Sequence, residues 1–189
     1  TRRARAAALL SLALPGAVYL YQGEELGLPE ADIPRDRIQD PMHLRSGGVD
    51  PGRDGCRVPL PWSAGEPYAG FGSTAEPWLP QPQSWPSYAA DAQSGDASSM
   101  LTLYREALRL RRGEPGFAAT VEETSGGRLN WLPSAPGVLA FARTDGLVCV
   151  VNLSDGAVEL PDHTEVLLTS GPLDGSGLLP GDTAAWLRR

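Results

Sequence analysis

Arg57 is the side chain whose type and setting most plainly suit chemistry. It lies in Asp54-Gly55-Cys56-Arg57-Val58-Pro59-Leu60-Pro61-Trp62, a segment stiffened by two prolines. A guanidinium on a stiff loop offers a planar fork of donors to ligand hydroxyls or a carboxylate, and the same fork serves equally in a salt bridge. Adjacent Glu24 and Glu25 raise a paired-carboxylate site. On an extended strand neighbours point to opposite faces, so the two cannot flank one scissile bond. One could face a site; a strand-end carboxylate bonded into a neighbouring turn is the simpler use.

Other constellations fail on composition or spacing. Asp50-Pro51-Gly52-Arg53-Asp54-Gly55 opens like a calcium loop, but Gly52 stands at the third position and Pro61 at the twelfth. Cys56 and Cys149 make neither a disulfide framework nor a zinc site. His43 and His163 have no nucleophile or ligand set beside them in sequence, and suit surface or packing roles. There is no Gly-x-Ser-x-Gly elbow and no phosphate-binding glycine loop. Neither a metal nor a cofactor is expected. Trp62, Tyr68, Trp78, Trp85 and Tyr88 sit among prolines. They offer faces for stacking on a sugar ring, although proline-rich loops also use aromatics to pack themselves, the use favoured here.

The elements that must position these residues come in three textures. Residues 2–13 are rich in Ala, Leu and Arg and favour helix; Pro15-Gly16 stops it, and Ala17 to Tyr21 reads as an apolar strand. The basic start followed by Ala6 to Leu14 mimics a signal peptide, but no small-residue cleavage site follows and Ser11, Pro15 and Gly16 break the apolar run. From Gly23 to about Asp96 periodicity is lost, and a loop of that length belongs to a functional elaboration or to a larger body. Asp96, Ser98 and Ser99 can cap a helix over Met100 to Arg112, ended by Gly113 and Pro115. After Gly116 come short apolar runs: Phe117–Val121, Arg128–Leu132, Val138–Arg143, Leu147–Leu153, Ala157–Leu160, Glu165–Thr169 and Ala184–Leu187. Asp145-Gly146 between two of them signals a hairpin, and the set reads as a small antiparallel sandwich.

The 189 residues carry 16 Arg and no Lys against 23 acids, a net charge of −7. A chain this acidic does not neutralise a run of phosphates, so nucleic acid is not an expected partner. Nor is a membrane, because the apolar N-terminal stretch falls short of the about 20 residues a span needs. The chain opens on Thr1 rather than Met, as a processed chain or a piece of a longer one would. A cytoplasmic location is expected.

Taken together, these segments resemble the C-terminal third of an α-glucosidase or oligo-1,6-glucosidase of glycoside hydrolase family 13, the α-amylase superfamily. Leu14-Pro15-Gly16-Ala17-Val18-Tyr19-Leu20-Tyr21-Gln22-Gly23-Glu24-Glu25-Leu26-Gly27 is similar to the segment forming strand eight of that family's (β/α)8 barrel. Gly52 to Trp62 is similar to its Asp-x-x-Arg-x-Pro-Met-x-Trp loop, with Leu60 for the usual Met and Pro61 for the usual Gln. The resemblance implies an α/β part followed by an all-β part. Residues 1–115 would be the last part of a TIM barrel, comprising helix 7 (residues 2–13), strand 8, a long loop and helix 8 (residues 98–112). Residues 116–189 would be a C-terminal β-sandwich domain. The long loop then lies at the face where such barrels carry their active sites.

The resemblance also implies a retaining α-glucosidase acting on α-linked gluco-oligosaccharides. Its nucleophilic Asp, acid/base Glu and stabilising Asp follow strands four, five and seven, before Thr1, so no catalytic residue is expected in this stretch, which alone would be inactive. Arg57 corresponds to a loop arginine that binds the terminal glucose, while Gln22 and Glu24 fall close to the pocket in a supporting role. A trehalose synthase or sucrose isomerase is the nearest alternative on this fold. A non-catalytic amylase-like transporter partner is a rival of another class. A secreted binding module leaves residues 15–97 unexplained.

Overall fold

The structure, a computed structural model, describes residues 1–72, 75–117, 129–143 and 146–189. They form two compact bodies, one of residues 1–19 with 103–189 and the other of residues 20–102.

The first body is a helix-backed sheet. Helix α1 (Arg2–Ala13) buries Ala6, Ala8, Leu9, Leu12 and Ala13, residues three and four apart that share one face. It ends where Leu14 turns extended, ahead of Pro15 and of Gly16 at φ 96°. The sheet comprises β1 (Asn130–Trp131), β2 (Val138–Ala142), β3 (Leu147–Asn152), β4 (Glu165–Thr169) and β5 (Thr183–Arg188). All pairs are antiparallel, in the order β1-β2-β3-β5-β4.

Every residue of β3 is buried, so both faces of the sheet must be covered. On one face Val148 and Val150 join Ala140, Ala185, Leu187 and Leu179, with Val158, Leu160 and Leu173 packed against them. On the other, Cys149 stands opposite both Phe141 and Trp186, and Trp186 donates its indole N–H to the Leu9 carbonyl of α1 at 3.1 Å. Phe117 completes this face, its ring 4.6 Å from that of Trp186.

The expected sandwich therefore appears, among the described residues, as one five-stranded sheet between α1 and an irregular layer. Ala157–Leu160, read as a strand, contributes only the Val158–Leu179 bridge to that layer. The hairpin joins β2 to β3 as expected, with the Arg143 N–H bonded to the Leu147 carbonyl, although Thr144 and Asp145 lie outside the described residues. Of the run Phe117–Val121, Phe117 belongs to a 3-10 turn and the rest lies outside the described residues.

The expected helix over residues 98–112 is present as α4 (Met100–Gly113), with two shorter helices, α2 (Pro41–Arg45) and α3 (Ala90–Gln93), before it. Ser99 caps α4 by accepting the Thr102 N–H at 3.1 Å. Arg111, near the C-terminus of α4, donates to the carbonyl of Leu12, in the last turn of α1, and to those of Leu14 and Gly16 just beyond its end.

Ala17–Tyr21, expected as a strand, is not one. No described strand pairs with it, and Tyr19 is 92% exposed. The reason is physical: a strand exists through hydrogen-bonded partners, and none of the described strands supplies them here. No helix among the described residues is long and apolar enough to cross a membrane.

The second body has little regular structure and is held by side chains. Ala31, Val58, Leu79 and Trp85 form its core, with Leu28 and Ile33 against them. Buried Gln93 donates to the carbonyls of Leu26 and Tyr88, both at 2.9 Å, and accepts the Leu101 N–H at 3.1 Å. One amide thus ties three segments that make no ladder of their own.

Candidate functional site

The proline-framed segment is anchored from below. Val58 and Pro61 are fully buried, and the Pro59 carbonyl accepts from Gln81 at 2.9 Å. Trp62 and Ser63 donate their backbone N–H groups to the Ala69 carbonyl. That carbonyl is presented by Tyr68 and Ala69, both at φ 50°, a backbone region that non-glycine residues seldom adopt. Just ahead of these buried anchors the chain makes a 3-10 turn, Asp54–Cys56, and delivers Arg57.

Arg57 lines a cavity of about 590 Å³. Its wall is apolar at Pro59, Phe71, Pro77, Trp78 and Leu79, and polar at Gln39, Asp54, Arg57 and Glu76. Large ring faces beside a few fixed polar groups suit a ligand with both apolar and hydroxylated surface. Arg57 makes the salt bridge that the sequence allowed, and part of its side chain stays accessible on the cavity. Its Nη1 lies 2.8 Å from Asp40 Oδ2 and 3.9 Å from Asp54 Oδ1, yet the side chain stays 44% exposed.

Both acids are buried and bonded to the backbone. Asp40 Oδ1 accepts the Met42 N–H at 2.9 Å, capping α2, whose first residue is Pro41. Asp40 Oδ2 accepts the Arg53 N–H at 3.0 Å, in addition to Arg57. The Met42 and Arg53 N–H groups, then the Arg57 charge, hold the Asp40 carboxyl below the usual carboxylate range, against burial, which acts the other way. Asp54 Oδ2 accepts the N–H groups of Gln39 at 2.5 Å and of Asp40 at 2.8 Å. Neither acid was singled out as a partner of Arg57 from sequence; an Asp directly before Pro, the signature of a capped helix start, was the available signal for Asp40.

Gln22 also reaches this segment, its Nε2 3.4 Å from the Cys56 carbonyl. Cys56 Sγ in turn lies 3.2 Å from the Arg53 carbonyl. Glu24 and Glu25 occupy a 3-10 turn, Glu24–Leu26, rather than an extended strand. Glu25 accepts the Gly23 N–H at 2.9 Å, which is the turn-bonded carboxylate expected of one of the pair, while Glu24 is exposed. The aromatics divide: Trp85 is core, whereas Trp78 lines the cavity and is 83% exposed. His43 lies in α2 and His163 bonds the Pro161 carbonyl at 2.8 Å; neither lines the cavity. Among the described residues no group of three His, Cys, Asp or Glu is placed to hold a metal ion.

Residues 1–119 match the family described as "Alpha amylase, catalytic domain", and residues 125–186 match a "Domain of unknown function (DUF3459)". A probable alpha-glucosidase of Rhizobium meliloti (strain 1021) is 36% identical over 181 residues, covering 93% of this chain and 30% of that protein. A trehalose synthase/amylase of Mycobacterium tuberculosis is 34% identical over 159 residues, 77% of this chain and 22% of the relative. The crystal structure of an alpha-glucosyl transfer enzyme superposes with a TM-score of 0.75 at 34% identity, covering 99% of this chain and 36% of that one. The chain thus spans about a third or less of the length of the proteins it matches.

Proposed function

The chain belongs to the α-amylase family of catalytic domains, a piece of its TIM barrel followed by an antiparallel β-sheet domain, and from this premise we propose that it forms one wall of the sugar pocket of a retaining α-glucosidase. In this reading residues 1–115 are the last part of the barrel and residues 116–189 the C-terminal β-domain. The substrate is an α-linked gluco-oligosaccharide, and the enzyme works in the cytoplasm, where the free Cys56 and Cys149 fit.

The observation that carries the reading is the disposition of Arg57. It is fixed through one nitrogen to buried acid and half exposed on a cavity walled by Trp78, Phe71 and Pro59. A guanidinium held this way donates to sugar hydroxyls from a set direction, while ring faces cover the apolar side of the sugar. Retention requires two carboxyl groups about 5–5.5 Å apart, one attacking the anomeric carbon and one protonating the leaving oxygen. Barrel segments outside these 189 residues supply them. Within the chain, Arg57 binds and orients the glucosyl unit, and Gln22 and Glu24 support the loop end around it.

A related rearrangement, in which the glucosyl unit passes to a sugar rather than to water, is the second reading, favoured by the mycobacterial trehalose synthase/amylase. The test of the main reading is steady-state kinetics of the full-length enzyme on maltose and isomaltose. Arg57→Ala is expected to lower kcat/KM about ten- to hundredfold, the loss of a charge-assisted hydrogen bond to substrate, beyond any fall in melting temperature from losing the Asp40 pair. Activity within twofold of the parent removes Arg57 from the pocket.

A further inference from the structure

We propose that Asp40 is the positioning residue for Arg57, setting the direction in which its guanidinium meets the substrate. The inference rests on the reading of Arg57 as a substrate-binding group.

The geometry is that of a brace built before the arginine arrives. Asp40 is fixed by two backbone donors that owe nothing to Arg57, Met42 N–H on Oδ1 and Arg53 N–H on Oδ2. Its own backbone is fixed by Asp54, whose Oδ2 takes the N–H groups of both Gln39 and Asp40. Asp54 stands three residues before Arg57, and its second oxygen lies 3.9 Å from the Arg57 Nη1. The circuit is closed: Asp54 holds the Asp40 backbone, and the Asp40 side chain holds Arg57 together with the turn that carries it. Gly52 leaves the room, because at φ 74° it packs against the Asp40 carboxyl and a Cβ there would overlap it.

The brace matters because arginine is long and rich in rotamers, so an unbraced guanidinium must be ordered by the substrate itself. The ordering of one such side chain corresponds to about two- to tenfold in affinity. Asp40 meets that cost in the free enzyme. Its contacts go to Nη1, and a guanidinium has further N–H donors for a ligand.

The experiment is a double-mutant cycle in the full-length enzyme, with p-nitrophenyl α-glucoside as substrate. Asp40→Asn keeps an acceptor for Met42 and removes the charge. It is expected to lower kcat/KM about two- to tenfold in the parent background and to leave it unchanged in the Arg57→Ala background, where it also lowers the melting temperature less because the ion pair is already gone. The same loss of kcat/KM in both backgrounds would mean that Asp40 acts through general structure, and overturns the proposal. So does full activity of Asp40→Asn beside an impaired Arg57→Ala. An unimpaired Arg57→Ala instead removes the premise, and the proposal with it. If Asp40→Asn does not fold, Asp54→Asn takes its place, with the same two patterns for and against.

Discussion

The carboxylate of Asp40 and the guanidinium of Arg57, 17 residues apart in the chain, meet at 2.8 Å with the acid buried and the base half exposed. An exposed pair contributes little, whereas a pair with one buried, backbone-bonded member fixes the other in space. The cavity wall thus acquires a directed donor from a stretch with almost no regular structure.

Asp40 also predicts a pH dependence. Its carboxyl is held low in the folded protein by the Met42 and Arg53 N–H groups and by Arg57. The folded value lies below the unfolded one, near 3.9, so the stabilisation is complete above that pH and is lost as pH falls through the folded value. Acid unfolding of the full-length protein should become shallower below about pH 4 in Asp40→Asn than in the parent. Equal slopes in a denaturant series across that range would deny Asp40 this role.

Gly55 is expected to tolerate no side chain. A Cβ there would overlap the Ala31 carbonyl oxygen, and the Ala31 N–H bonds the Gly55 carbonyl at 2.9 Å, so neither strand of the contact has room to move. Gly55→Ala should cost about 1–3 kcal/mol of stability, as overpacking does, and displace Arg57, two residues on. Urea titration and kcat/KM should fall together; an unchanged midpoint would refute the close approach.

In the other body the centre is Trp186, fully buried against Phe117 and bonded to Leu9 of α1. Trp186→Ala should cost about 3–5 kcal/mol, the range for deleting a large buried aromatic. Trp186→Phe fills most of the volume but strands the indole-bonded arrangement, and should cost less. Thermal melts of the two variants check the order.

Arg111 makes a prediction independent of the core. It takes the carbonyls of Leu12, Leu14 and Gly16 where α1 ends. Hydrogen bonds from a charged donor contribute about 1.5–3 kcal/mol, less where water reaches them as it does here, so Arg111→Ala should cost about 1–2 kcal/mol. Hydrogen exchange should quicken over residues 9–16 while β3 and β5 keep their protection. Uniform exchange across the body would contradict the capping role.

The parts legible in the sequence are those whose signal is local. The Ala, Leu and Arg of residues 2–13 favour helix, Ser99 precedes a helix as a cap, and the short apolar run Leu147–Leu153 marks a buried strand. Arg57 stands out because Pro59 and Pro61 stiffen the segment that carries it. The rest depends on distant partners. Ala17–Tyr21 has the composition of a strand but no described strand to pair with, and Glu24-Glu25 curl into a 3-10 turn that composition does not announce. Asp50 to Gly55 fails as a calcium loop, while Asp54 within it serves the backbone of residues 39 and 40 across the loop. Such a contact leaves no periodicity to read.

The central claim is that Arg57, braced by Asp40, contacts the glucosyl unit. The most direct measurement is a crystal structure of the full-length enzyme with a glucose-configured inhibitor. The account predicts an Arg57 nitrogen at hydrogen-bond distance, about 3 Å, from a sugar oxygen, with the Asp40 pair intact. An inhibitor seated in the barrel with Arg57 turned away from it, or bridged to it by no atom at all, would contradict it.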